Sequence, residues 1–292
     1  MKKIRTRKHR VVLSRSVGGD VGITIILSIL GILMFLPMYY TVIQALKPLN
    51  ELFYFPPRFY VVHPTLSNFS DLFNLMGDSW VPFSRYIFNT VLISVGGTFG
   101  NLVLSSICAY ALAKIDFPGA KGTFKIIRMS LMFSATVTSV VNFISLSILG
   151  WIDSYLAIIV PAWCSTLGLY LMKQFMESNV STAVLESARL DGASELRTFW
   201  SIAMPMVKPA WLTLIIYSFQ GLWNQGSSSF IYSEQLKTLN SAISQITGGT
   251  GSIARTGATA AGTVIMMIVP IVVFVVSQSN IIETMGSSGM KD

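Results

Sequence analysis

Charge is scarce in this sequence, and so are the side chains on which catalysis and metal binding depend. Only 12% of its 292 residues are Asp, Glu, Lys or Arg, against roughly 25% in an ordinary soluble domain. Its two histidines, His9 and His63, lie in different polar segments. Its two cysteines, Cys108 and Cys164, lie in different apolar runs without a CxxC spacing. A disulfide framework or a His/Cys metal cluster is therefore disfavoured, and both cysteines read as small buried core residues. The phosphate loop Gly-x4-Gly-Lys-Ser/Thr is missing as well, so the chain carries no P-loop ATPase of its own.

Hydrophobicity is what the sequence has in quantity: 52% of its residues are apolar and its mean hydropathy is +0.61. The apolar residues gather into runs long enough to cross a hydrocarbon layer about 30 Å thick, which takes about 20 helical residues. Six spans are expected, at about 21–46, 87–113, 126–149, 155–172, 207–227 and 258–282. The fold class expected is an all-α polytopic membrane protein. Residues 1–20 form a basic amino-terminal segment, 21–282 the membrane region, and 283–292 a short tail. The first run is too long for a signal peptide and lacks a small-x-small cleavage site, so it reads as a retained span. Residues 47–86 carry five prolines and read as a loop with little room for long helices. Residues 228–257 read as a Ser/Thr/Gly-rich loop.

Six spans place both termini on one side. Sixteen of the 21 Lys and Arg residues fall in the termini and in the segments on the same side as them, and five fall in the others. The positive-inside rule makes the first set cytoplasmic. The net charge of +8 is thus mostly a topology signal, and no nucleic-acid partner is expected. None of the six spans has an ionisable residue in its interior. Ion-coupled carriers keep such groups near the midplane, and a membrane enzyme needs a catalytic constellation. A stand-alone carrier or channel for a small polar solute is the alternative reading, and the uncharged spans disfavour it.

The longest internal polar segment, 173–206, faces the cytoplasm in this topology. Within it, residues 181–205 read as two short helices about a turn. Ser181 or Thr182 can cap the first helix, and Glu186 suits its amino-terminal half. Asp191-Gly192 is the break: Gly adopts the left-handed conformation that ends a helix, and Asp begins the next. The second helix, about 193–203, is expected to stop at Pro205, with Pro209 opening the fifth span.

This segment resembles the EAA loop of ATP-binding-cassette importer permeases. The matching residues are Glu186, Ser187 and Ala188, then Gly192, then Ile202, Met204 and Pro205. Ser187 and Met204 depart mildly from the usual Ala and Leu. Further stretches, among them ALKPLNELFYFPP, AYALAKIDFPGAKG and the tail GSSGMKD, are similar to the carbohydrate-type permeases related to the maltose importer. The resemblance implies a non-enzymatic subunit of a bacterial plasma (inner) membrane importer for a carbohydrate. It implies a second homologous permease, a dimer of ATPase subunits that bind the ATP and magnesium, and an extracytoplasmic solute-binding protein. No cofactor is implied for this chain itself. The loop helix would dock into a cleft of the ATPase, with Glu186 making the polar contact and Asp191-Gly192 the turn. On helix pattern, Leu185, Ala188 and Leu190 are candidate packing surface. The stretch SQITGGTGSIARTG (244–257) would meet the binding protein, and the tail from Met285 would reach toward the ATPase.

For the solute, the end of the fifth span offers Tyr217, Gln220, Trp223, Asn224 and Gln225. Rings stack on sugar faces, and amides serve hydroxyls as donors and acceptors. Thr136, Thr138, Ser139 and Asn142 of the third span are weaker candidates, since such residues also bond between helices.

Overall fold

A computed structural model describes residues 17–77, 80–133, 135–226, 230–248 and 255–288. Among them the regular structure is entirely helical. The chain opens with α1 (Val17–Leu46), whose most apolar stretch has no buried residue. A helical stretch that is apolar on every side and buries no residue belongs in lipid or against other chains. Two short helices follow in the expected loop, α2 (Leu49–Leu52) and α3 (Ser67–Gly77). The second forms because Asn68, Leu72 and Met76, four residues apart, give it one buried face. Asn68 also closes the end of α1, donating to the carbonyls of Ala45 at 2.9 Å and Lys47 at 2.7 Å, groups that a helix end leaves unsatisfied.

The centre of the molecule is α4 (Phe83–Lys114). Its buried face carries Asn89, Thr90, Ser94, Thr98, Asn101 and Ser105, small and polar side chains interleaved with Ile93 and Ala109. Such residues let helix backbones approach closely. The nearest approach is at Gly100, where an added Cβ would lie 2.0 Å from the indole nitrogen of Trp163. That nitrogen donates to the Gly96 carbonyl at 3.0 Å.

The third expected span, 126–149, divides into α5 (Ala120–Ser130) and α6 (Ala135–Ile148). Lys121, Lys125 and Arg128 line one face of α5, which buries no residue, and a helix so charged lies outside hydrocarbon. The 14 residues of α6 reach about 21 Å, less than the layer they were expected to cross. The fourth expected span corresponds to α7 (Leu156–Trp163) and α8 (Thr166–Asn179), counted together as one apolar stretch. It runs beyond the expected end at 172. Its break falls just after Pro161, and the Ser165 hydroxyl caps α8 by accepting the Gly168 N–H at 3.1 Å.

Then come α9 (Thr182–Leu190), α10 (Glu195–Thr198), a π-helical turn (Phe199–Ala203), α11 (Met204–Met206) and α12 (Lys208–Trp223). Pro205 does not stop the second loop helix as expected. The helix widens by one residue at 199–203, where the Met204 N–H reaches back to the Phe199 carbonyl, and then carries Pro205 through to Met206. Widening of this kind accommodates a residue without an N–H. The break comes at Val207, where the axis turns by 83° into α12. After a 3₁₀ turn (Glu234–Leu236) come α13 (Leu239–Gly248) and α14 (Thr256–Ser288). Residues 1–16 of the basic segment and 289–292 of the tail lie outside the described residues.

Four helical stretches among the described residues are long and apolar enough to cross a membrane: Gly18–Leu46, Phe83–Lys114, Leu156–Asn179 and Thr256–Gln278. The bent pair makes a fifth if it counts as one. In the packing, α4 lies against α7, α8 and α12, while α14 lies against α1, α12 and α3. The larger hydrophobic clusters sit at opposite ends. One joins α3, α13 and α14 around Trp223; the other gathers α8, α9 and the π turn around Phe199. Cys108 and Cys164 are free but exposed, not buried as expected, because the faces of α4 and the α7–α8 break that carry them meet no other part of this chain.

Candidate functional site

Two places bring the candidate residues together. The first is the loop of α9 and α10. Leu185 and Ala188, four-spaced neighbours of Ser181 and Val184, are 1% and 7% exposed. Leu185 joins Met172, Met176 and Phe199 in one buried cluster, and with Ala188 buried as well this face of α9 is turned into its own chain and offers no surface to a partner. Glu186, Ser187 and Leu190 point outward instead, with Leu190 90% exposed. Among the described residues Glu186 forms no hydrogen bond or ion pair. Leu196 and Trp200 in the following helix are exposed as well.

Asp191 is the C-cap of α9 and Gly192 follows with φ +80°. The Ala193 N–H bonds the Ala188 carbonyl and the Gly192 N–H the Arg189 carbonyl, both at 3.0 Å. This is the paired closure that needs a left-handed residue at its centre. Ser181 stands at the start of α9 without a side-chain cap bond. The next helix is capped by Ser194, which accepts the Arg197 N–H, and not by Asp191. Across the turn the Arg189 guanidinium pairs with Glu195 at 2.7 Å, and Tyr110 of α4 donates to the other carboxylate oxygen at 3.1 Å. The hydrogen bond from Arg189 holds the Glu195 carboxyl below its ordinary range. Ile202 is half-buried against the Phe199 cluster, and Pro205 is exposed.

The second place is a cavity of about 640 Å³ beside α12, lined by Tyr217, Gln220, Asn224 and Gln225 together with Asn101, Asn142, Ser165, Ser218 and Phe230. Asn101 donates to Ser218 at 3.1 Å and accepts from Ser105 at 2.8 Å, which fixes the wall between α4 and α12. Trp223, expected here, faces the other way: it is 5% exposed, donates to the Met266 carbonyl at 2.9 Å and stacks on Phe219. A 100° step per residue sets it about 100° from Asn224 and about 120° from Tyr217. Asn142 is the weaker candidate that lines the cavity; Thr138 and Ser139 do not, and the Thr136 side chain lies outside the described residues. Asn101 and Ser218 were passed over in the sequence, although an amide in the middle of an apolar span is itself a signal.

The end of the molecule opposite α9 is closed by the 230–248 stretch. Asn89 donates to the carbonyls of Gln235 and Lys237 at 2.8 and 2.9 Å, and the Leu239 N–H bonds Thr90 at 2.8 Å. The expected loop is therefore partly helical and packed, since α13 buries Leu239, Ala242 and Ile243. Residues 249–254 lie outside the described residues. Asp153, with φ +58°, accepts from the N–H groups of Tyr232 at 2.9 Å and Ser233 at 2.8 Å, and from the Ser233 hydroxyl. Those Ser233 bonds hold its carboxyl below the usual range. Among the described residues no group of His, Cys, Asp and Glu could hold a metal ion.

The sequence pattern of the family described as "Binding-protein-dependent transport system inner membrane component" matches residues 21–283. The chain is 25% identical over 257 residues to the sn-glycerol-3-phosphate transport system permease protein of Yersinia pestis bv. Antiqua, covering 87% of this chain and 91% of that one. It is 26% identical over 196 residues to the diacetylchitobiose uptake system permease protein of Streptomyces coelicolor, covering 66% and 63%. A chain in the crystal structure of a bacterial ABC transporter involved in the import of the acidic polysaccharide alginate has the same fold. Its TM-score is 0.77 at 22% identity, over 91% of this chain and 98% of that one.

Proposed function

The chain belongs to the family of binding-protein-dependent transport system inner membrane components, and from that premise we propose that it is the permease subunit of an ATP-binding-cassette importer for a carbohydrate. It crosses the inner membrane six times in this reading, with α6 and α12 as its short passes and both termini in the cytoplasm. The α9 end then faces the cytoplasm, in keeping with the excess of Lys and Arg there. Separate ATPase subunits bind ATP and magnesium, a second permease supplies the other half of the passage, and an extracytoplasmic binding protein delivers the solute.

The observation that carries this reading is the outward face of α9. Its unpaired Glu186 carboxylate and bare Leu190 stand on a helix whose other face is fixed into the molecule by Leu185 and Ala188. A handle of this kind suits a rigid-body transmission. Closure of the ATPase dimer moves the docked helix, and the helix moves α8 and α12, which alternate between two packed arrangements. Site-specific crosslinking in native membranes tests it. A crosslinker at position 186 is expected to capture an ATPase subunit, with yield changing between nucleotide-free and nucleotide-bound states. Labelling of that position only from the extracytoplasmic side would refute the orientation and the reading together.

A further inference from the structure

The cavity beside α12 carries information about the class of solute. Tyr217, Gln220, Asn224, Gln225 and Asn142 line it, and among the described residues none of these five side chains makes a hydrogen bond within the chain. Phe230, held against Phe143 at 6.2 Å, supplies a second ring. Every lining residue is uncharged. Charged side chains toward the α13 end of the molecule are engaged elsewhere, and on α8 Lys173 pairs with Glu177. Arg85 donates to the Gln235 carbonyl and the Tyr155 hydroxyl, Lys237 pairs with Glu234, and Asp153 is taken up by Tyr232 and Ser233.

Amides present both a donor and an acceptor, which matches a hydroxyl, itself both; rings cover the apolar faces of a pyranose. Carboxylates and phosphates are matched instead by Arg or Lys, through charge-assisted bonds. We infer that this chain's share of the passage selects an uncharged, hydroxyl-rich solute, a neutral glycan, and supplies no counter-charge for an acidic one. The inference rests on the permease reading. It separates this chain from the relatives named for glycerol phosphate and acidic polysaccharide.

The test uses the complete importer with its own binding protein in proteoliposomes. The probes are neutral di- to tetrasaccharides, the matching uronic-acid oligosaccharides and sn-glycerol 3-phosphate, and ATP-dependent uptake is read by mass spectrometry. Accumulation of neutral members alone is expected; accumulation of an acidic member overturns the inference and leaves the permease reading standing. No ATP-driven uptake of any probe overturns the permease reading, and the inference falls with it. Gln220→Lys and Gln220→Glu then test this chain by itself. Both are expected to lower neutral uptake to a similar degree, roughly tenfold for the loss of a matched hydrogen bond, while Gln220→Asn keeps most of it. Opposite responses, with Lys tolerated and Glu not, would mark an anionic solute and overturn the inference. Should neither charged variant reach the membrane, the probe panel decides.

Discussion

At Gly192 the constraint comes from the backbone. A Cβ there would meet nothing within 4 Å, yet φ is +80°, a region that β-branched residues avoid. Gly192→Val is expected to cost about 1–3 kcal/mol at the turn and to leave ATP hydrolysis running without uptake. Gly192→Asn, whose side chain tolerates this conformation, should retain most coupled transport; parallel hydrolysis and uptake assays check both. Tyr217 and Trp223, six residues apart on α12, separate function from structure. Trp223→Ala removes a buried, hydrogen-bonded ring and should destabilise the protein by about 3–5 kcal/mol, seen as a lower melting temperature in detergent. Tyr217→Ala, at a residue 58% exposed on the cavity side, should leave the melting temperature nearly unchanged and lower uptake.

Between elements, close approach supplements apolar contacts such as that of Ile93 with Ile158 and Leu222. The polar face of α4 gains little from burial as such, and its contacts rest on short distances and on hydrogen bonds to α12 and to the 235–239 stretch. Gly100→Ala places a methyl where the Trp163 indole now lies. It should push α4 and α7 apart at a cost of about 1–3 kcal/mol. A fall in melting temperature that a smaller partner, Trp163→Phe, partly restores would confirm the crossing as the cause. The π turn before Pro205 is the other element-scale device. It lets the loop helix run on to Val207, so that Ile202 and Met204 both reach the Phe199 cluster before the chain turns into α12.

Across the whole molecule, two ends are built differently around one central helix. Tyr110 near one end of α4 holds Glu195, and Asn89 near the other holds the 235–237 carbonyls, so α4 spans the distance between the loop and the opposite closure. The Glu195 carboxyl sits below its ordinary range, first through its hydrogen bond from Arg189. A depressed carboxylate contributes fully above its unfolded pKa and loses that contribution as pH falls through the folded value. The tie between α9, α10 and α4 should therefore be intact at neutral pH and released only in acid, below the usual carboxylate range. Hydrogen exchange at Gly192 and Ala193 should stay slow down to that range in the native chain and be faster at all pH values in Glu195→Gln. The exposed apolar girth of α1 and α6 belongs to the same scale, because an isolated chain leaves it uncovered in water.

Much of this was legible in the residues. Scarce charge and long apolar runs determined a helical membrane protein, since a chain in lipid must satisfy its backbone internally. Asp191-Gly192 determined the turn, because few residues tolerate its dihedral angles. Local sequence could not say which face of a helix would be covered. It offered Leu185, Ala188 and Leu190 alike as docking surface, and only packing within the folded chain buried the first two and left the third bare. It grouped Trp223 with Tyr217 and took 228–257 for a loop, and only the seating of α13 and α14 turned the indole into the core. Periodicity records which residues share a side. What that side meets depends on contacts between segments distant in sequence, and those the tertiary structure alone decides.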